Sequence, residues 1–221
     1  MASREVRIPA GDARLYGDLS VPRDSRGVVL FAHGSGSGRH SARNRQVAAT
    51  LQRAGIATLL FDLLTAEEER VDLHTREHRF DIPLLTRRMQ DSTNWVASQP
   101  ELAHAPIGYF GASTGSAAAL IAAARLGDRI AAVVSRGGRP DLAGPAVLAA
   151  VKAPTLLIVG GADHGVIELN QDAYAHLTCT RRLAIVRNAT HLFEERGALE
   201  EVSALAADWF TAHLVRVEHE A

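Results

Sequence analysis

Ile107-Gly108-Tyr109-Phe110-Gly111-Ala112-Ser113-Thr114-Gly115-Ser116-Ala117-Ala118-Ala119 is the stretch that decides how this chain folds. Its first four residues form an apolar run with strand character, and the alanine-rich segment from Ser116 to Leu126 has helical character. Between them Gly111-Ala112-Ser113-Thr114-Gly115 reads as G-x-S-x-G. A sharp strand-to-helix turn imposes strained backbone angles on its serine, and residues without side chains two before and two after let the neighbouring backbones approach. The turn lifts the hydroxyl clear of the sheet and sets it at a helix start. Free N–H groups and the positive end of the helix dipole favour a developing negative charge there. In a chain with 18 Gly the pattern arises by composition in roughly one case in ten, so the flanking strand and helix decide its meaning.

Outward from this turn, further apolar runs lead into polar loops. Thr155 to Val159 runs into Gly160-Gly161-Ala162-Asp163, and Arg182 to Val186 runs into Asn188-Ala189-Thr190-His191. Upstream, Gly27 to Ala32 reads as a buried strand that delivers His33-Gly34-Ser35-Gly36-Ser37-Gly38. Other expected strands are Ala57 to Phe61 and Ile130 to Ser135; expected helices are Ala42 to Ala54, Ile82 to Ser98, Pro145 to Val151, Ile167 to Leu177 and Leu199 to Val215. Strands alternating with helices imply right-handed crossovers and a mainly parallel, doubly wound sheet of the α/β class. The short strands Val6 to Ile8 and Leu15 to Val21 flank Gly11-Asp12 and predict an antiparallel N-terminal hairpin. Sites in open α/β sheets gather at the carboxyl ends of strands, so loops distant in sequence can converge there.

Composition narrows the function classes. With 47% hydrophobic residues in 221 and no linker or charge block, residues 1–221 read as a single domain with a sizeable core. A formal net charge of −1, from 24 basic and 25 acidic residues, offers no global field for nucleic acid or anionic membrane. Charges in Met1 to Arg7 interrupt any signal-peptide core, and no segment reaches the length of a membrane span; a cytoplasmic protein is expected. The single cysteine, Cys179, excludes an intrachain disulfide and reads as structural.

Together H-G-S-G-S-G (33–38), G-A-S-T-G (111–115), G-G-A-D-H (160–164) and A-T-H-L-F (189–193) resemble the dienelactone hydrolase branch of the α/β-hydrolase superfamily over nearly the whole chain. The order Ser…Asp…His is the one expected of that superfamily. The resemblance implies a serine esterase acting on a small-molecule ester or lactone, without cofactor. Dienelactone hydrolase proper carries cysteine where this chain has Ser113. Ser113 would be the nucleophile, His191 the general base and Asp163 the residue that fixes the imidazole. The glycine-rich loop resembles the superfamily's oxyanion loop, which makes the N–H groups of Ser35 and Thr114 the candidate oxyanion donors. A phosphate cradle is the other reading of 33–38, but the Lys-Ser/Thr of a P-loop and the G-x-G-x-x-G register are missing. Thioesterase or perhydrolase chemistry on the same residues, and a noncatalytic binder, are the alternatives. Oligomeric state stays open, a homodimer included.

Arginines cluster near the expected active edge. Arg39, Arg43 and Arg45 follow the glycine-rich loop, and Arg136 and Arg139 follow the strand ending at Ser135. Guanidinium groups bind carboxylates in bidentate fashion, which makes Arg39 and Arg136 candidate substrate-binding residues; the competing reading pairs these arginines with Asp141, Glu67 or Glu68. His74-Thr75-Arg76-Glu77-His78 matches H-x-x-E-H, yet its strongly polar surroundings predict a solvated segment and no metal. Only the short Pro145 to Val151 helix occupies the usual lid position. A minimal lid, an open pocket and short-acyl substrates are therefore expected, with Thr65 to Arg79 the one other stretch long enough to cover a site.

Overall fold

The computed structural model describes residues 3–215; the outermost parts of the expected 1–221 domain, 1–2 and 216–221, lie outside the described residues. One eight-stranded sheet organises them, in the order β1-β2-β4-β3-β5-β6-β7-β8. The strands are β1 (Arg4–Ala10), β2 (Ala13–Ser20), β3 (Val28–Ala32), β4 (Ala57–Phe61), β5 (Ile107–Ala112), β6 (Ile130–Arg136), β7 (Thr155–Gly160) and β8 (Arg181–Val186). β1 and β2 pair antiparallel around the two-residue turn Gly11-Asp12, β2 joins β4 antiparallel, and every later pairing is parallel. Every residue of β3, β4, β5 and β7 is buried, as their uninterrupted apolar composition requires of strands covered on both faces.

The helices are α1 (Ala42–Arg53), α2 (Ala66–Thr75), α3 (Ile82–Ala97), α4 (Thr114–Leu126), α5 (Pro145–Ala150), α6 (His164–His176) and α7 (Ala198–His213). α1 and α7 cover one face, where Val47, Ala48 and Leu51 meet a core that includes Val202, Ala206 and Phe210. α3 to α6 contribute Leu85, Met89, Ala118 to Leu120, Leu148 and Ala173 to the other. Val202, Ala206 and Phe210 recur every four residues, so one stripe of α7 faces the sheet, and burial of Phe210 alone stabilises by roughly 2 to 3 kcal/mol.

Strand order grows in opposite directions on either side of the β3–β5 pair. That makes the carboxyl ends of β3 and β5 the topological switch point, where a crevice opens between outgoing loops. The glycine-rich loop leaves β3 there, and the Ser113 turn leaves β5 beside it.

The polar connection around 74–78 is solvated as expected, with residues 73–77 exposed, and within 65–79 the structure adds the helix α2. Thr65 Oγ1 accepts the Glu68 N–H at 3.1 Å and Glu68 Oε2 accepts the Thr65 N–H at 2.7 Å, a reciprocal cap that starts α2. Asp72 is buried and takes the Arg79 backbone N–H at 2.8 Å and its Nε–H at 2.6 Å. Burial pushes the Asp72 carboxyl upward, but hydrogen bonds and charge from Arg79 outweigh it and hold the group below the usual carboxylate range. Arg76 at φ +61° ends α2, so His74 and His78 do not share one helical face. α5, in the expected lid position, buries Leu148 in the core instead. Among the described residues no helix is long and apolar enough to cross a membrane.

Candidate active site

Ser113 stands between β5 and α4 at φ +49°, ψ −125°, a conformation that costs a non-glycine residue about 1 to 3 kcal/mol. Hydrogen bonds on every side hold it there. Its N–H donates to the Arg136 carbonyl at 3.2 Å, and its carbonyl accepts the Ser116 N–H at 3.0 Å, the Ser116 hydroxyl at 2.7 Å and the Arg139 N–H at 3.2 Å. A Cβ on Gly111 would lie 2.4 Å from the Ser116 Cα, and one on Gly115 would lie 2.3 Å from the Ala32 carbonyl oxygen. Both flanking glycines thus answer to backbone approach.

The loop after β3 is pinned to this turn. The hydroxyls of Ser35 and Thr114 lie 3.0 Å apart, joined by one hydrogen bond. Among the described residues neither the Ser35 nor the Thr114 N–H finds a backbone acceptor, as expected for a turn residue and for the first residue of a helix. His33, buried beneath the loop, accepts the Leu63 N–H on Nε2 at 3.0 Å, and its Nδ1–H donates to the Gly34 carbonyl at 3.0 Å. Loss of water on burial lowers its pKa, so this imidazole stays neutral and ties the glycine-rich loop to the segment after β4. Sequence reading assigned His33 no such role.

His191 and Asp163 come together from the ends of β8 and β7. His191 Nδ1 lies 2.7 Å from Asp163 Oδ2, and the Ala162 N–H to Ala189 carbonyl bond, 2.9 Å, locks the two loops to each other. Gly34, Ser35, Ser113, His191, Arg43 and Arg136 are among the residues lining a cleft of about 160 Å³. Ser113 and His191 share it without a hydrogen bond between them in this geometry, a contact that catalytic sites commonly tighten only around substrate. A second, narrower cavity of about 50 Å³ lies across the glycine-rich loop, walled by Leu63, Leu73, Asp72 and Arg79, with Ser35 and Thr114 at its junction. α2 walls this second cavity, and α5 lines neither of the two.

The expected substrate arginines part company. Arg39 is withdrawn from the cleft: its guanidinium reaches Glu5 at 2.9 Å, Asp18 at 3.2 Å and Asp62 at 3.2 Å. This corrects the sequence expectation, since three carboxylates claim the group that was to bind substrate. Arg139 pairs with Asp141 at 2.8 Å, the structural reading that sequence had allowed. Arg136 lines the cleft, 6% exposed, over the Phe193 ring. Its Nη2 donates to Asn44 Oδ1 at 3.3 Å, and among the described residues its Nε has no partner. Removal from water, and then the neighbouring Arg43 charge, push its pKa down to about 10, so it remains a cation at neutral pH.

A family model described as an alpha/beta hydrolase domain matches residues 25–209. The chain is an α/β-hydrolase of the dienelactone hydrolase-like family. A crystal structure of dienelactone hydrolase from Anabaena variabilis is 55% identical, with TM-score 0.95 over 96% of this chain and 98% of that one. Est1E from Butyrivibrio proteoclasticus, 15% identical, shares the fold at TM-score 0.79 over 94% and 98% of the two chains. Two Mycobacterium tuberculosis proteins, each named "Putative phosphoribosyl transferase", are 58% identical over 214 residues, 97% of this chain and 47% of theirs. The hydrolase thus spans about half the length of those curated relatives. Arg43 and Asn44 enter its cleft because α1 begins at its rim; the Ser41 cap, which accepts the Asn44 N–H at 3.4 Å, was the signal available for that placement.

Proposed function

We propose that the chain is a serine hydrolase that cleaves small carboxylic esters or lactones through Ser113, His191 and Asp163. The observation that carries the reading is the strained Ser113 turn opening into the same cleft as a histidine whose Nδ1 is held 2.7 Å from a carboxylate. Ser113 Oγ attacks the acyl carbon as His191 Nε2 accepts its proton. The carbonyl oxygen, now anionic, accepts hydrogen bonds from the N–H groups of Ser35 and Thr114. Collapse breaks the C–O bond of the leaving alcohol, which takes the proton back from His191 and leaves an acyl-enzyme. Water, deprotonated by His191, then attacks the acyl carbon; collapse breaks the acyl–Oγ bond, His191 returns the proton to Ser113 Oγ, and the acid leaves. Asp163 keeps the proton on Nδ1 and stabilises the imidazolium. The neutral His33 holds the loop that presents Ser35. The 50 Å³ cavity under α2 favours short acyl groups. The transferase name belongs to proteins of which this chain matches 47%.

Hydrolysis of p-nitrophenyl esters from acetate to decanoate tests the reading. Fast turnover of the short esters, lost in Ser113→Ala together with fluorophosphonate labelling, is expected. Activity that survives in Ser113→Ala would remove it.

A further inference from the structure

The cleft beside Ser113 is cationic beyond what the protein itself neutralises. Arg136 is buried, with one protein acceptor and no carboxylate among the described residues. Arg43 shares the cleft; among the described residues its Nε has no partner and its one ion pair is the 3.5 Å contact to the exposed Glu194, and such a solvent-facing pair contributes little. α1, twelve residues long and capped by Ser41, begins at the same wall, so its positive end adds to the field. Asn44 is buried, and because its Oδ1 accepts from Arg136, its Nδ2 remains a donor. The remaining polar lining consists of Ser35, Ser37, Ser41, Ser113 and His191, with no acidic side chain. A buried guanidinium without a counter-charge costs several kcal/mol, and an anion at this place offsets that cost.

We infer that this cleft holds a phosphoryl group, the dianionic part of a phosphorylated ester or lactone, between Arg136, Arg43 and the N-terminus of α1. Two guanidinium groups and a helix end exceed what a single carboxylate neutralises, whereas a phosphate monoester carries about −1.5 to −2 near neutral pH. Its three terminal oxygens suit a fork of arginine donors, the Asn44 amide and the hydroxyls of Ser37 and Ser41 beside the start of α1. The Asn44 contact and the Phe193 ring fix the plane of the Arg136 guanidinium, which makes Arg136 a specificity residue. The role as a substrate site rests on the hydrolase reading, because the group would sit beside Ser113; the binding itself does not.

Isothermal titration with phenyl phosphate and, separately, benzoate at pH 8 tests the inference on wild type, Ser113→Ala, Arg136→Gln and Arg43→Gln. Phenyl phosphate is expected to bind at least tenfold more tightly than benzoate, equally to wild type and Ser113→Ala. The affinity should fall at least tenfold in Arg136→Gln and severalfold in Arg43→Gln. Benzoate binding as well as phenyl phosphate, no phosphate binding, or affinity indifferent to the arginines would each overturn it. Circular dichroism checks folding; if Arg136→Gln fails to fold, Arg43→Gln, on the rim, decides. Phosphate binding retained in a protein without esterase activity would sink the hydrolase reading and leave the anion site standing, and the reverse pattern would do the opposite.

Discussion

Arg39 lies in the loop after β3 and Arg136 is the last residue of β6, at the same carboxyl edge of the sheet and with the same charge, yet the fold treats them in opposite ways. Around Arg39 the chain gathers Glu5, Asp18 and Asp62, and the arginine serves to fasten the segment after the glycine-rich loop to the N-terminal hairpin. Around Arg136 it gathers Asn44, Phe193 and a second arginine. A buried charge that the chain compensates is part of the scaffold. One that it leaves uncompensated lowers stability, and its compensation comes from outside. Strained or poorly satisfied groups of this kind concentrate at functional sites.

The most severe challenge to this contrast is Ser113→Ala. Ester turnover is expected to fall on the order of 10⁴-fold or more, measured with p-nitrophenyl acetate, while phenyl phosphate affinity stays as in wild type; parallel loss of both would mean that Ser113 belongs to the anion site itself. Arg39→Met comes next, with a stability loss of about 3 kcal/mol in urea unfolding, because three carboxylates lose their common partner. Its ligand affinity should not change, and a change would erase the distinction between the two arginines. Arg136→Met should do the reverse: the protein without ligand gains about 1 kcal/mol as an unpaired buried charge disappears, and phosphate no longer raises Tm. A clear destabilisation would show that Arg136 is scaffold after all. Least in size, Glu194→Gln should leave stability within about 0.5 kcal/mol and tighten phenyl phosphate about twofold by freeing Arg43; weaker binding would count against Arg43 as a ligand.

Much of the fold was legible because it rests on local pattern. Continuous apolar runs gave β3, β4, β5 and β7, and a G-x-S-x-G between strand and helix gave the turn whose glycines have no room for a Cβ, which would lie within 2.4 Å of backbone atoms. The segment 65–79 was legible as polar and solvated, and residues 73–77 are exposed; what its polarity could not display is that Asp72 turns inward to Arg79, and Glu68 to Arg88 at 2.7 Å. Its start was nonetheless written in Thr65-Ala66-Glu67-Glu68, a capping pattern. His33 went unnoticed as a positioning residue because neither of its acceptor and donor partners, Leu63 N–H and the Gly34 carbonyl, involves a side chain that a motif could display.

By itself the sequence determined the alternation of strands and helices, the serine turn and the three loops that meet at the switch point. These follow from hydrophobic period and glycine placement, which act over a few residues. Only the tertiary structure decided which arginine is free. The carboxylates that claim Arg39 lie 34, 21 and 23 residues away along the chain, and Asn44 lies 92 residues from Arg136. Charge compensation is a matter of distance in space and of water removed, and neither quantity exists until the sheet has brought its loops together.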